Sequence, residues 1–189
     1  MITLQDLILK TNAISLHEMG ITGRGIKVAL LDSGIDSNHE IFKGKNIKSF
    51  QLEEGNINDG NNHGTHVCSI LTSIAPEVDI LNIKILDDNG NTKVSTIAKG
   101  IELAMDKGAD IINLSVGELR KDCPLNHPLS LLVQEAERRG IMVICAAGNA
   151  GNRNPHIPAS CPQTIAVGSV NFRGKVNKFS ATGPIGLFA

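Results

Sequence analysis

Residues 27–32 read KVALLD, one basic residue, four apolar ones and a carboxylate. So short an apolar run, with no polar residue alternating through it, predicts a strand covered on both faces. The same texture recurs in VDILNIKIL (78–86), DIINLSVG (110–117), IMVICAAGN (141–149) and TIAVGSV (164–170). Between the later runs the period changes. In VSTIAKGIELAMDKG (94–108) the apolar residues Val94, Ile97, Ala98, Ile101, Ala104 and Met105 recur at helical spacing, and Gly108 is a natural stop. LSLLVQEAERRG (129–140) repeats the design, with Arg138 and Arg139 suited to a helix C-terminus before Gly140.

Strands alternating with helices of this length need crossover connections, which predicts an α/β fold: a mostly parallel twisted sheet with helices on both faces. Functional groups in such sheets collect beyond the carboxyl ends of the strands. That rule selects Asp32 after VALL, Ser115, Val116 and Gly117 after IINL, and Gly148 and Asn149 after VICAA. Residues 52–62, LEEGNINDGNN, read as a loose polar loop.

The chain has 189 residues, 41% of them hydrophobic, which suits one globular domain with a sizeable core. Residues 1–189 are therefore read as one domain, with 1–20 as an N-terminal helical lead-in. A net charge of −1 and the lack of Trp and Tyr argue against a nucleic-acid groove, base-stacking platforms or a polybasic membrane patch. Asp6 interrupts the start, and no run approaches ~18 apolar residues, so a signal peptide or membrane span is not expected and a cytoplasmic location is. The four cysteines, Cys68, Cys123, Cys145 and Cys161, lack CxxC spacing and are expected as free thiols in such a compartment.

Asp32 ends an apolar strand, so its carboxylate needs a partner to stay ionised; a plain turn-capping role in DSGID is the alternative. His63 opens HGTHVCSILTSIA, a predicted helix running to about Ala75. A histidine at a helix start is disfavoured as a cation by the helix dipole, and is expected to stay a neutral base. His66, one turn on, is expected to pack or to bond neighbouring backbone. Zinc is disfavoured, because His63 and His66 are spaced i, i+3 with no intervening Glu and Cys68 falls round the helix. Asn149 either donates its amide to an oxyanion or serves as a turn residue.

Taken together these segments resemble the subtilisin-like serine peptidases, the subtilases. LLDSGIDSNHEIF is similar to the family's Asp motif, NNHGTHV to its His motif, INLSVG to its substrate-binding strand and AAGNAGN to its oxyanion Asn motif, in the family's order. IPASCPQTIAVGSV and KFSATGP resemble the later proline-containing loop, strand and Phe-Ser segment, so the likeness runs from about residue 20 to the end. The resemblance implies a serine endopeptidase in which Asp32 orients the imidazole, His63 is the general base and Asn149 donates to the oxyanion. His66 and Gly148 would be supporting residues, and Ser115, Val116 and Gly117 would bond an extended peptide substrate. Losing an oxyanion donor costs on the order of 10²–10³ in turnover in subtilisin itself.

Two departures stand out. The family's nucleophile sits in a Gly-Thr-Ser-Met-Ala-type motif beyond the Phe-Ser segment, and no such motif occurs in these residues. Ser33, Ser69, Ser115 and Ser180 already belong to other motifs. The expectation is a chain inactive alone, trimmed from an active protease, with apolar surface open to association. A second chain supplying the serine, or a pseudoprotease serving as a peptide-binding module, are the alternatives. The family's frequent calcium site also lacks its parts: Ile41 stands where a carboxylate is expected and LTSIAPEVDIL leaves little room for the loop, so no cofactor is expected.

Overall fold

The computed structural model describes residues 3–118, 123–151 and 154–189. Two compact units divide the chain, Met1–Asn91 and Thr92–Ala189.

In the first unit, KVALLD forms β1 (Lys27–Asp32), buried at every position after Lys27 as an uninterrupted apolar run requires. The helices α1 (Leu4–Lys10) and α2 (Ala13–Glu18) precede it, broken where Asn12 turns left-handed at φ 55°. Then come a short 3-10 turn (Glu40–Phe42), β2 (Ile47–Gln51), α3 (His63–Ile74) and β3 (Asp79–Lys84). The strands pair in parallel in the order β2-β3-β1, with Asp32 in register with Lys84. Helix α3 buries Gly64, Cys68 and Thr72, a stripe repeating every four residues and therefore one helix face. Strand β2 escapes a search for apolar runs because IKSFQ is a half-buried edge strand, with exposed Lys48, Ser49 and Gln51.

The second unit contains α4 (Val94–Asp106), β4 (Ile111–Leu114), α5 (Pro128–Arg138), β5 (Met142–Ala146), β6 (Thr164–Gly168) and the two-residue β7 (Leu187–Phe188). Its strands are parallel in the order β4-β5-β6-β7. Thr96, Ile97, Gly100, Ile101, Ala104 and Met105 form the buried face of α4. Gly108 and Gly140 end α4 and α5 at φ 68° and 74°, the left-handed geometry that glycine adopts without strain. Helix α5 begins with Pro128 at its first turn, and the His127 ring accepts the Leu129 N–H at 3.3 Å.

The parallel strands and intervening helices agree with the expected α/β class. The cysteine expectation needs correction. Cys68 and Cys145 are buried free thiols, but Cys123 and Cys161 form a disulfide with Cα atoms 5.3 Å apart. Their sequence separation of 38 hides the pairing, which the fold creates by bringing the approach to α5 beside the loop before β6.

Candidate active site

Asp32 is the last residue of β1, where its backbone carbonyl accepts the Ile85 and Leu86 N–H groups at 2.8 and 3.2 Å. That clamp fixes the strand end, and with it the direction of a carboxylate only 1% exposed. Oδ1 accepts the Ser33 N–H at 2.7 Å and lies 2.7 Å from His63 Nδ1. With a carboxylate on Nδ1, the neutral imidazole carries its proton there and leaves Nε2 as the acceptor. The His63 side chain is 46% exposed, so the ring is anchored on one side and open to an incoming group on the other.

Gly64 explains how His63 can come so close. A Cβ there would run into the Gly34 carbonyl oxygen and stand 3.2 Å from Asp32 Cβ and Oδ1. Only a residue without a side chain lets the first turn of α3 press against the β1 end.

The loop read as loose in the sequence is instead tied down by carboxylates. Asp59, 5% exposed, accepts the Ser33 hydroxyl at 2.7 Å, the Asn62 N–H at 2.9 Å, and both the Thr65 N–H and hydroxyl at 2.8 and 2.5 Å. It therefore caps the start of α3, where the unbonded N–H groups and the dipole favour a negative charge. Asp88 accepts the Asn56 N–H at 3.1 Å and lies where side chains on Gly55 or Gly60 would collide with it. The signal for Asp59 was present as an acid four residues before a helix-opening histidine, but a polar loop hides which of its residues is buried.

Hydrogen bonding and charge act together on the proton affinity of His63. Its hydrogen bond to Asp32 pushes the pKa up; burial opposes that, and the charges of Asp32 and Asp59 add to the rise. Asp59 itself is raised by burial, but the bonds from Thr65, Ser33 and Asn62 win and hold it below the usual carboxylate range.

The other predicted residues fall as follows. His66 lies one turn along α3 and is exposed, while Cys68 is fully buried, so the two do not converge with His63 on a metal. Among the described residues, no group of three or more His, Cys, Asp or Glu is placed to hold a metal ion. Each serine considered as a nucleophile is engaged elsewhere: Ser33 on Asp59, Ser69 on the His66 carbonyl, Ser115 beside Asn113, and Ser180 on the Ala181 carbonyl.

In the second unit, Ser115, Val116 and Gly117 leave β4, and Glu118 pairs with Ile157 through two backbone bonds of 2.9 Å. Asn149 is exposed and follows Gly148, whose φ is 101° and whose carbonyl accepts the Ala181 N–H at 2.9 Å. His156 went unnoticed in the sequence. A Cβ on Gly117 would stand 3.0 Å from His156 Cβ, and one on Gly148 2.7 Å from its ring. One histidine thus packs against both predicted segments.

The subtilase family model matches residues 23–186. The chain belongs to the subtilase family. This subtilase is 36% identical over 190 residues to subtilisin E of Bacillus subtilis (strain 168), covering 93% of the chain and 49% of the relative. It is 34% identical over 185 residues to subtilisin Savinase of Lederbergia lenta, covering 93% and 67%. Among solved structures, the prenylagaramide maturation protease PagA superposes with a TM-score of 0.79 at 29% identity, over 90% of this chain and 63% of that one. A cold adapted subtilisin-like serine proteinase gives 0.77 at 27% identity, over 89% and 63%. The subtilase chain spans about half the length of subtilisin E.

Proposed function

We propose that the chain is the Asp- and His-bearing part of a subtilisin-type serine endopeptidase. The observation that carries this reading is the buried Asp32 carboxylate 2.7 Å from Nδ1 of a half-exposed His63. Asp32 holds the imidazole in the tautomer that presents Nε2, and its charge stabilises the imidazolium formed when Nε2 takes a proton from a serine hydroxyl. Ser115, Val116 and Gly117 receive an extended peptide as an added strand, and Asn149 donates to the oxygen that becomes negative as the carbonyl is attacked. No cofactor enters this scheme.

The hydroxyl comes from outside these 189 residues. Ser33, Ser69 and Ser180 donate their hydroxyls to structural bonds, Ser115 accepts from Asn113 Nδ2 at 3.3 Å, and a nucleophile needs its own contact with the base. In this reading the chain alone hydrolyses nothing, since removing the nucleophile from subtilisin costs a factor on the order of 10⁶.

A fluorophosphonate probe tests both statements. The 189-residue chain should stay unlabelled, and a form extended through a Gly-Thr-Ser-type segment should label and cleave peptides. Labelling of the short form would overturn the assignment of the nucleophile. An extended form that folds and binds peptide but never labels would make the protein a binding module instead.

A further inference from the structure

Among the described residues, the charged side chains that are buried are Asp32, Asp59 and Lys84. All three converge on Ser33. Its N–H donates to Asp32 Oδ1 at 2.7 Å, its hydroxyl donates to Asp59 Oδ1 at 2.7 Å, and its carbonyl accepts from Lys84 Nζ at 2.6 Å. The hydroxyl also accepts the Gly64 N–H at 3.0 Å, next to His63. Every polar group of Ser33 is thereby committed.

Lys84 is fully buried at the end of β3, in parallel register with Asp32, so the two side chains leave the sheet on the same side. Besides the Ser33 carbonyl it meets Asp88 Oδ1 at 3.0 Å. Asp88 in turn receives the Asn56 N–H, and its own carbonyl receives Asn61 Nδ2 at 3.1 Å. The lysine therefore joins the β1 end to the loop that carries Asp59. Burying an ammonium costs several kcal/mol in general, and is sustained only where opposite charges and acceptors surround it.

We propose that Lys84 is a positioning residue for the Asp32–His63 pair, its buried ammonium acting as the countercharge that holds Ser33 in place and limits how tightly His63 keeps a proton. Two buried carboxylates without it would bind the imidazolium too firmly for a base that must be neutral near pH 7. Asp88 modulates the effect by partly offsetting the lysine.

Other charged groups also border α3, among them Asp36, whose backbone N–H donates to the Thr65 hydroxyl in the first turn at 3.0 Å. His17 of α2 meets the Ile74 carbonyl and Lys45 the Pro76 carbonyl, both at the far end of α3. Asp6 of α1 is bonded to Thr3, Lys10 closes α1, and Glu40 of the 3-10 turn is exposed.

The inference deepens the base role proposed for His63, but its test reads proton affinity rather than peptidase activity. NMR titration of the His63 ring should be run on the 189-residue chain and on Lys84→Met and Asp88→Asn, with urea midpoints as folding controls. Lys84→Met removes a repulsive positive charge, so the titration midpoint should rise by about 0.5 unit or more. Asp88→Asn removes an attractive negative charge, and the midpoint should fall by about 0.3 unit. A merely structural role does not predict opposite signs. Unchanged midpoints in the folded variants, or shifts of the same sign, would overturn the proposal. If Lys84→Met does not fold, the partly exposed Asp88 site decides alone: a fall supports the inference, and no fall ends it. A failed fluorophosphonate experiment would leave these shifts standing, so the two readings fail separately.

Discussion

The Ser33 hydroxyl donates to Asp59 Oδ1 at 2.7 Å, which ties the end of β1 to the loop that leads into α3. Asp59→Ala would strand the donors on Ser33, Asn62 and Thr65. Stability should fall by about 2–3 kcal/mol, read as a lower urea midpoint, because hydrogen bonds to a buried charge are worth more than neutral ones. The folded pKa of Asp59 lies below its ordinary 3.8. Its contribution is therefore complete above the unfolded value and is lost as pH falls through the lower folded one. An acid unfolding curve that is steeper below pH 4 in the parent than in Asp59→Ala checks the sign.

Gly64→Ala should be as informative. Its methyl group would meet the Gly34 carbonyl oxygen, which is backbone and cannot swing aside. Overpacking of this kind costs about 1–3 kcal/mol. The relief available is to lift α3 off β1, which lengthens the His63–Asp32 contact. The His63 titration midpoint should accordingly drop toward its ordinary 6.5, a change that a mutation elsewhere on α3 would not produce.

Asp32→Asn isolates the charge from the geometry. The His63 midpoint, raised chiefly by the Asp32 bond, should fall. A group with a raised folded pKa stabilises the protein fully below its unfolded value and loses that contribution as pH rises through the folded one. The parent should thus lose stability between pH 6.5 and the higher folded midpoint, and Asp32→Asn should not. In a form that carries the serine, turnover should drop by on the order of 10⁴-fold, since an amide favours the wrong imidazole tautomer. Urea midpoints across that window and pH–rate profiles measure the two effects.

The elements legible in the sequence are those whose burial is written in composition. KVALLD and VDILNIKIL became β1 and β3 because strands covered on both faces need unbroken apolar runs, whereas IMVICAAGN became β5, whose burial alternates and leaves Met142 and Ala146 exposed. The helical period of residues 94–106 likewise became α4. Asp32 and His63 were visible because one ends an apolar strand and the other opens an amphipathic helix; their 2.7 Å contact follows from the packing of α3 on β1. What stayed hidden depends on contacts distant in sequence. Strand β2 is half-exposed, and Lys84 reads as an ordinary strand lysine until Ser33 and Asp88 are seen around it. Asp59 sits in a polar loop where any acid would look solvated, and His156 owes its place to Gly117 and Gly148.

The cysteines offer the last test, since the composition argument and the fold disagree about them. Cys68 and Cys145 are buried without a partner, and burial pushes the Cys68 thiol up to about 12 and Cys145 higher still. Thiolate is the reactive form, so neither should react with a disulfide reagent in the native chain at pH 8. Unfolding without reductant should release two thiols, and unfolding with reductant all four cysteines. Four reactive thiols under non-reducing denaturation would mean that Cys123 and Cys161 are not joined. Where they are joined, Cys123→Ser with Cys161→Ser should lower stability by about 2–4 kcal/mol, because the unfolded chain is freed from a closed loop.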